Sequence, residues 1–211
     1  MIDITPVELL TTTRTVRKRL DLSKPVDRTV VEECLRIAWQ APNGSNQQMY
    51  GWVCVDDPTT RATMADIYRD GLKRHQEISA ANPSPYKVND RQQLISASVF
   101  HLLQHMQDVP VLVVPTIETR LDGVSIFEQG SRWGSILPAV WNFMLALRLH
   151  GMGSAWTTLH LHCEKDMADL LGIPFDEVTQ AGMFPVAYTI GTDFHAASRA
   201  HSEQTIRWNK W

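Results

Sequence analysis

The chain has 211 residues, 44% of them hydrophobic and 20% charged, with a formal net charge of -3 and an isoelectric point near 6.2. That length lets one core bury roughly 70% of the unfolded surface, so one domain over residues 1–211 is expected. The slightly acidic balance offers no general attraction for nucleic acid or an anionic membrane, and no apolar run approaches the roughly 20 residues of a membrane helix.

Residues 1–6 lack the basic-then-apolar pattern of a signal peptide. Cys34, Cys54 and Cys163 are odd in number and widely spaced, as reduced thiols in a cytoplasm would be. Thr5-Pro6-Val7-Glu8 opens a helix: Thr at the N-cap with Glu three residues on makes a capping box, and proline suits the first helical position. Arg14-Thr15-Val16-Arg17 then falls at or past that helix's end. A second helix begins near Asp27, with Val30, Val31, Cys34, Leu35 and Ala38 on one face, and stops before Pro42. The turn Ala41-Pro42-Asn43-Gly44-Ser45-Asn46-Gln47-Gln48 follows at once.

Residues 52–55 read as a short buried strand closed by Asp56-Asp57-Pro58, and 59–81 as a helix with a charged outer face, broken by Pro83-Ser84-Pro85. Leu94, Ile95, Val99, Leu102, Leu103 and Met106 share one face of a helix over 90–107, and 110–114 form a second buried strand. Residues 118–130 are expected as a polar loop. The longest helix, 131–150, is apolar nearly all round and should be central, with Gly151-Met152-Gly153 ending it. A third strand is expected at 155–159, a helix at about 165–171 and a fourth strand at 184–190. Helices and strands alternate, which places the chain in the α/β or α+β class around one sheet. The tail from Phe194 shows little periodicity, yet Trp208 and Trp211 should pack on something, a partner subunit being the candidate.

Two arginines flanking a hydroxyl at Arg14, Thr15 and Arg17 suit a monoester phosphate, because guanidinium groups grip phosphate oxygens as forks. The amide-rich turn at Asn43 and Asn46 can hydrogen-bond a flat heterocycle. Together they point to a phosphorylated ring cofactor, although each segment alone is commonplace: arginines after a helix are usually solvated, and Pro-Asn-Gly is ordinary turn chemistry. No metal site is expected, since His101 and His105 have no acidic general base between them and His160 and His162 lack a third ligand. A ring contact from His160 is conceivable. Ser131, Ser135 and Ser154 stand in no nucleophile elbow, and no phosphate-loop or dinucleotide fingerprint is present.

Order and spacing add what the separate segments do not. A helix, R-T-x-R, a second helix, A-P-N-G-x-N-x-Q, an aromatic-containing strand and, far downstream, Asn142-Phe143-Met144-Leu145-Ala146 leading into Gly151-Met152-Gly153-Ser154 and Trp156 make the chain resemble the FMN-dependent nitroreductase family throughout its length. The resemblance implies an α+β three-layer fold, a central, mostly antiparallel sheet flanked by helices, in an intertwined homodimer with FMN at the subunit interface. It implies that Arg14, Thr15, Arg17 and the C-terminal Arg199 hold the FMN phosphate. Pro42, Asn43, Gly44 and Asn46 would reach the flavin bound mainly by the other subunit, and Ser154, Thr157, Thr158 and Leu159 would lie against the isoalloxazine. No catalytic side chain is required. The implied chemistry is ping-pong: NAD(P)H delivers hydride to flavin N5, and a nitroaromatic, quinone or related acceptor then takes the electrons in the same space.

Relatives within the family reduce activated double bonds, dehalogenate or consume the flavin, and residues 82–90 and 118–130 are the loops expected to choose among these. The chain departs from the family pattern at Thr13, where an arginine is usual, at Ala197, where a lysine is usual, and at Met49-Tyr50 in place of Pro-Trp. Loss of two cations weakens the phosphate site. It raises the alternative of a flavin-sequestering protein of the same fold with little turnover, and a third reading is a cofactor-free interaction domain.

Overall fold

A computed structural model describes residues 1–82, 90–199 and 205–211, with the side chains of residues 90 and 91 also outside the description. In chain order the elements are α1 (Pro6–Thr12), β1 (Leu20–Asp21), α2 (Arg28–Ala38), β2 (Tyr50–Val55), α3 (Pro58–Ala81), α4 (Asp90–His105), β3 (Val111–Ile117), α5 (Ile126–Leu149), β4 (Met152–Ser154), α6 (Glu164–Leu171), β5 (Thr179–Gln180) and β6 (Phe184–Thr189). Short 3-10 turns occupy Gly44–Asn46, Met106–Asp108 and Leu159–Cys163.

Side-chain caps set the helix starts. Thr5 and Glu8 form the expected capping box on α1, Asp27 accepts from Thr29 N–H at the head of α2, and Asp57 accepts from Thr60 N–H at the head of α3. A second capping box, Ser125 with Glu128, starts α5 at Ile126. The helix therefore begins inside the segment expected to be a polar loop, and it carries Pro138 within its length. The expected break at Pro83-Ser84-Pro85 lies outside the described residues.

The sheet has six strands in the order β1-β6-β3-β2, with β4 also on β6 and β5 on β3, and every strand pair is antiparallel. β3 is buried along its whole length. Val111, Val113 and Ile117 enter the core shared with α2 and α5, while Leu112 and Val114 enter the opposite core, shared with α3, α4 and α6. This period-two division makes three layers, the α+β architecture expected.

The third strand differs from expectation. It is Met152–Ser154 rather than 155–159, with Gly153 opposite Ala187 and Ser154 opposite Val186 on β6. Beyond Ser154 only a single bridge, Thr157 to Met183, continues toward that strand, and the chain turns into the 3-10 segment Leu159–Cys163. β1 and β5, two residues each, carry no readable periodicity. Among the described residues no helix is long and apolar enough to cross a membrane.

Candidate functional site

Backbone pairing stitches the first motif to the third. Val16 N–H donates to Ser154 O at 2.9 Å, and Thr15 forms a parallel bridge with Ser154. Gly153 permits this approach, because a Cβ there would lie 2.6 Å from Val16 Cγ2 and 2.8 Å from Thr189 Cγ2. With the segment held in this way, Val16 enters the core while Arg17 lines a cleft.

The cleft has a volume of about 700 Å3 and is walled by Tyr68, Leu72 and His75 of α3, by Val99, Phe100 and Leu103 of α4, and by residues 156–159. That size is in the range of small-molecule and cofactor sites. α3 comes close to the 3-10 segment at Gly71, where a Cβ would sit 2.1 Å from Leu159 O.

Arg17 is half-buried and donates to Ser98 Oγ at 3.4 Å. Burial pulls its pKa below the ordinary arginine value, partly offset by Tyr68, and among the described residues no carboxylate ion-pairs with it. A desolvated cation lacking a counter-charge is stabilised by an incoming anion. Tyr68 is buried and bonded to Thr157, and burial pushes its pKa up, which keeps the phenol protonated.

The segment after β4 divides its labour. Thr157 is buried and its hydroxyl donates to Met183 O at 2.6 Å, so that group holds the segment in place and is already engaged. Ser154 Oγ is buried without a partner among the described residues, and this residue serves the pairing through its backbone. Thr158 is exposed and Leu159 partly so, and both line the cleft with Trp156, whose indole N–H donates to Ala181 O at 2.9 Å. The Trp156 ring lies nearly parallel to Phe184, with centroids 6.4 Å apart.

The amide-rich turn lies in the α5 layer, across the sheet from the cleft. Gly44 N–H donates to Ser135 Oγ at 2.9 Å, and that hydroxyl donates to Ser131 O at 2.8 Å. Asn43 Oδ1 is buried and unpartnered among the described residues, Pro42 is exposed, and Ser45 and Asn46 hold φ of 54° and 55°. Left-handed backbone costs about 1–2 kcal/mol for most residues and concentrates at functional sites. Within one chain, residues 42–46 are not among those lining the cleft with Arg17.

Arg14 differs from its expected place. Its Nε and Nη2 donate to His195 O at 3.1 and 2.8 Å, and its other donors reach Thr13 O and Thr11 O at 3.3 Å each. Those contacts engage the guanidinium with main-chain carbonyls. Thr15 is exposed beside the cleft-lining Arg17, and Arg199 is exposed in the tail next to residues outside the description.

Of the histidines, His160 is fully buried, with neither ring nitrogen partnered among the described residues and its pKa pushed down by burial to about 4, so it is a core residue. His75 Nδ1 and His162 Nε2 lie 3.2 Å apart, with His75 on the cleft wall. Among the described residues no cluster of metal-ligating side chains occurs. Sequence reasoning missed Tyr68, Leu72 and Phe100 as cleft walls and Ser135 as the support of the Asn43 turn. The spacing of Met64, Tyr68 and Gly71 along α3 was the available signal, masked by the charged outer face of the same helix.

An antiparallel sheet between two helical layers, with an arginine-bearing opening segment paired to the strand before a Trp-Thr-Thr turn, defines a nitroreductase-like α+β protein. A profile of the nitroreductase family matches residues 10–188, and the chain belongs to that family. It is 25% identical over 189 residues to iodotyrosine deiodinase of Drosophila melanogaster, across 86% of this chain and 61% of that protein, so it spans less than two thirds of that relative's length. Solved structures share the fold. An iodotyrosine deiodinase bound to FMN and 3-iodo-L-tyrosine superposes with a TM-score of 0.70 at 19% identity, over 97% of this chain and 99% of the other. A mutant FMN- and NADPH-dependent nitroreductase from Sphigopyxis sp. strain HMH superposes with a TM-score of 0.71 at 16% identity, over 99% and 100% of the two chains.

Proposed function

We propose that the protein is an FMN-dependent oxidoreductase acting as a cytoplasmic homodimer, with NADH or NADPH as electron donor and a nitroaromatic, quinone or related flat molecule as acceptor. The observation that carries this reading is the pairing of a half-buried Arg17, with no carboxylate ion-paired to it among the described residues, with apolar and aromatic cleft walls. That donor set fits a ligand with an anionic end and a flat apolar body. Arg17, the Thr15 hydroxyl and Arg199 would hold the phosphate, and Trp156, Thr158 and Leu159 would flank the ring. The turn of Pro42, Asn43, Gly44 and Asn46 would close over it from the second subunit, where the unpartnered Asn43 Oδ1 would find its donor.

When bound, FMN supplies the redox step, accepting hydride from the nicotinamide and passing electrons to the acceptor. The chain's own residues would orient the ring: Leu72, Phe100 and Leu159 provide apolar walls, and Thr157, tied to Met183 O, keeps the backbone of the ring-facing segment fixed. Exposed Ile126, Phe127, Trp208 and Trp211, each more than four-fifths accessible in the single chain, support the dimer. The three cysteines, all free, suit a reducing compartment.

The likeness to iodotyrosine deiodinase favours a second reading, reductive removal of a halogen from an aromatic ring in the same cleft. An absorbance spectrum of the protein with FMN, followed anaerobically by NADH or NADPH, tests the first. The expected result is a bound flavin band that bleaches with the nicotinamide and recovers with a nitroaromatic or quinone. Recovery with 3-iodo-L-tyrosine and release of iodide would select the second reading, a bound band that resists both nicotinamides would select the sequestering protein, and absence of bound flavin would reject the FMN assignment.

A further inference from the structure

Residues 190–195 have almost no regular secondary structure, yet three arginines, two from the connection between α1 and β1 and one from α5, donate to their carbonyl groups. Arg14 donates to His195 O, Arg19 to Ile190 O at 2.8 Å and to Asp193 O at 3.4 Å, and Arg148 to Thr192 O at 2.5 Å. Arg19 also pairs with the Asp193 carboxylate at 2.6 Å. The Phe194 ring receives both the Arg19 and the Arg148 guanidinium carbons, 4.3 and 4.4 Å from its centroid. Arg148 is 5% exposed and, among the described residues, leaves Nε and Nη1 without hydrogen-bond partners. Burying a guanidinium in that state is costly, and the cost falls on a segment whose next cation is Arg199, four residues past His195.

We propose that these contacts form an arginine clasp that aims the tail, so that Arg199 reaches the phosphate subsite beside Arg17. Arg14, which sequence alone assigns to the phosphate, is then a positioning residue acting through His195. The Arg199 step rests on the FMN reading above.

The test compares wild type, Arg14→Ala, Phe194→Ala, Arg199→Ala and the two pairwise combinations with Arg199→Ala. FMN affinity is read by quenching of flavin fluorescence, and hydrogen exchange of amides 190–199 is read in the protein without flavin. Phe194 carries no charge, so its truncation removes no phosphate ligand. Each clasp variant is expected to accelerate exchange in 190–199 and to weaken FMN binding by about tenfold, the effect of one charge-assisted contact. Neither should weaken binding further once Arg199 is alanine. Full additivity of Arg14→Ala with Arg199→Ala would return Arg14 to the phosphate and overturn the proposal, as would unchanged affinity in Phe194→Ala with Arg14→Ala also silent. If wild type bound no FMN the cofactor reading would fall, and the exchange rates would then decide the clasp alone: acceleration supports it, and unchanged rates overturn it.

Discussion

Arg14 and Arg17 are three residues apart, and the bridge between Thr15 and Ser154 separates their tasks. One guanidinium is engaged by carbonyl groups of the chain itself; the other faces a cleft and, among the described residues, has no carboxylate ion-paired with it. Arg17→Ala is accordingly expected to lower FMN affinity by roughly ten- to a hundredfold, the worth of a charged hydrogen bond of about 1.5–3 kcal/mol, measurable by fluorescence titration. Unchanged affinity would remove Arg17 from the site. His160 makes a prediction of a different kind. Its folded pKa, about 4, lies below the ordinary histidine value near 6.5, so the unfolded chain binds the extra proton first. Stability is therefore fully present above about pH 6.5 and falls by about 3 kcal/mol as the pH drops toward 4. In His160→Leu the acid arm of urea-unfolding curves taken from pH 4 to 7 should be shallower by that amount. A proton count that fails to change would mean the ring finds a partner when charged.

At the scale of elements, helices were legible because their starts are written locally. Thr5 with Glu8 and Asp27 are starts readable from sequence, whereas Asp57, which reads as closing a strand, also caps α3, and the Ser125-Glu128 box that starts α5 is hidden by the polarity of the segment around it. The strand after α5 starts three residues before its expected place because Trp156-Thr157-Thr158-Leu159 has strand-like composition, whereas register on β6 is decided by Gly153, the residue that fits between Val16 and Thr189. Tertiary fit of this kind leaves no periodic trace. The same reasoning yields a test at Gly71. An alanine methyl would collide with Leu159 O and force α3 away from the 3-10 segment, so Gly71→Ala is expected to cost about 1–3 kcal/mol in urea unfolding and to weaken FMN binding through the displaced cleft wall. A stable variant with normal binding would show that the two elements separate freely.

For the whole molecule, the motif order makes the three-layer fold legible, while the composition of the cleft is not, since Tyr68 and Leu72 sit on a helix whose charged outer face dominates its sequence and Phe100 lies off the apolar face expected for its helix. Nor does a single chain bring the Asn43 turn to Arg17. The exposed Trp208 and Trp211 lead to a prediction at this scale: light scattering should give a dimer mass, and Trp208→Ser with Trp211→Ser should shift the equilibrium toward monomer and lower flavin content together. A monomeric wild type that binds FMN fully would refute the shared site.

The placement of the turn and the cleft on opposite sides of the sheet has a genetic consequence. If each site takes Arg17 from one chain and the Asn43 turn from the other, a chain damaged at Arg17 and a chain damaged at Asn43 are each inactive alone. Co-expressed, they can form a mixed assembly in which one site carries both lesions and the other carries none. Two null alleles would then restore activity to each other, and the yield of rescue would report how often unlike chains pair.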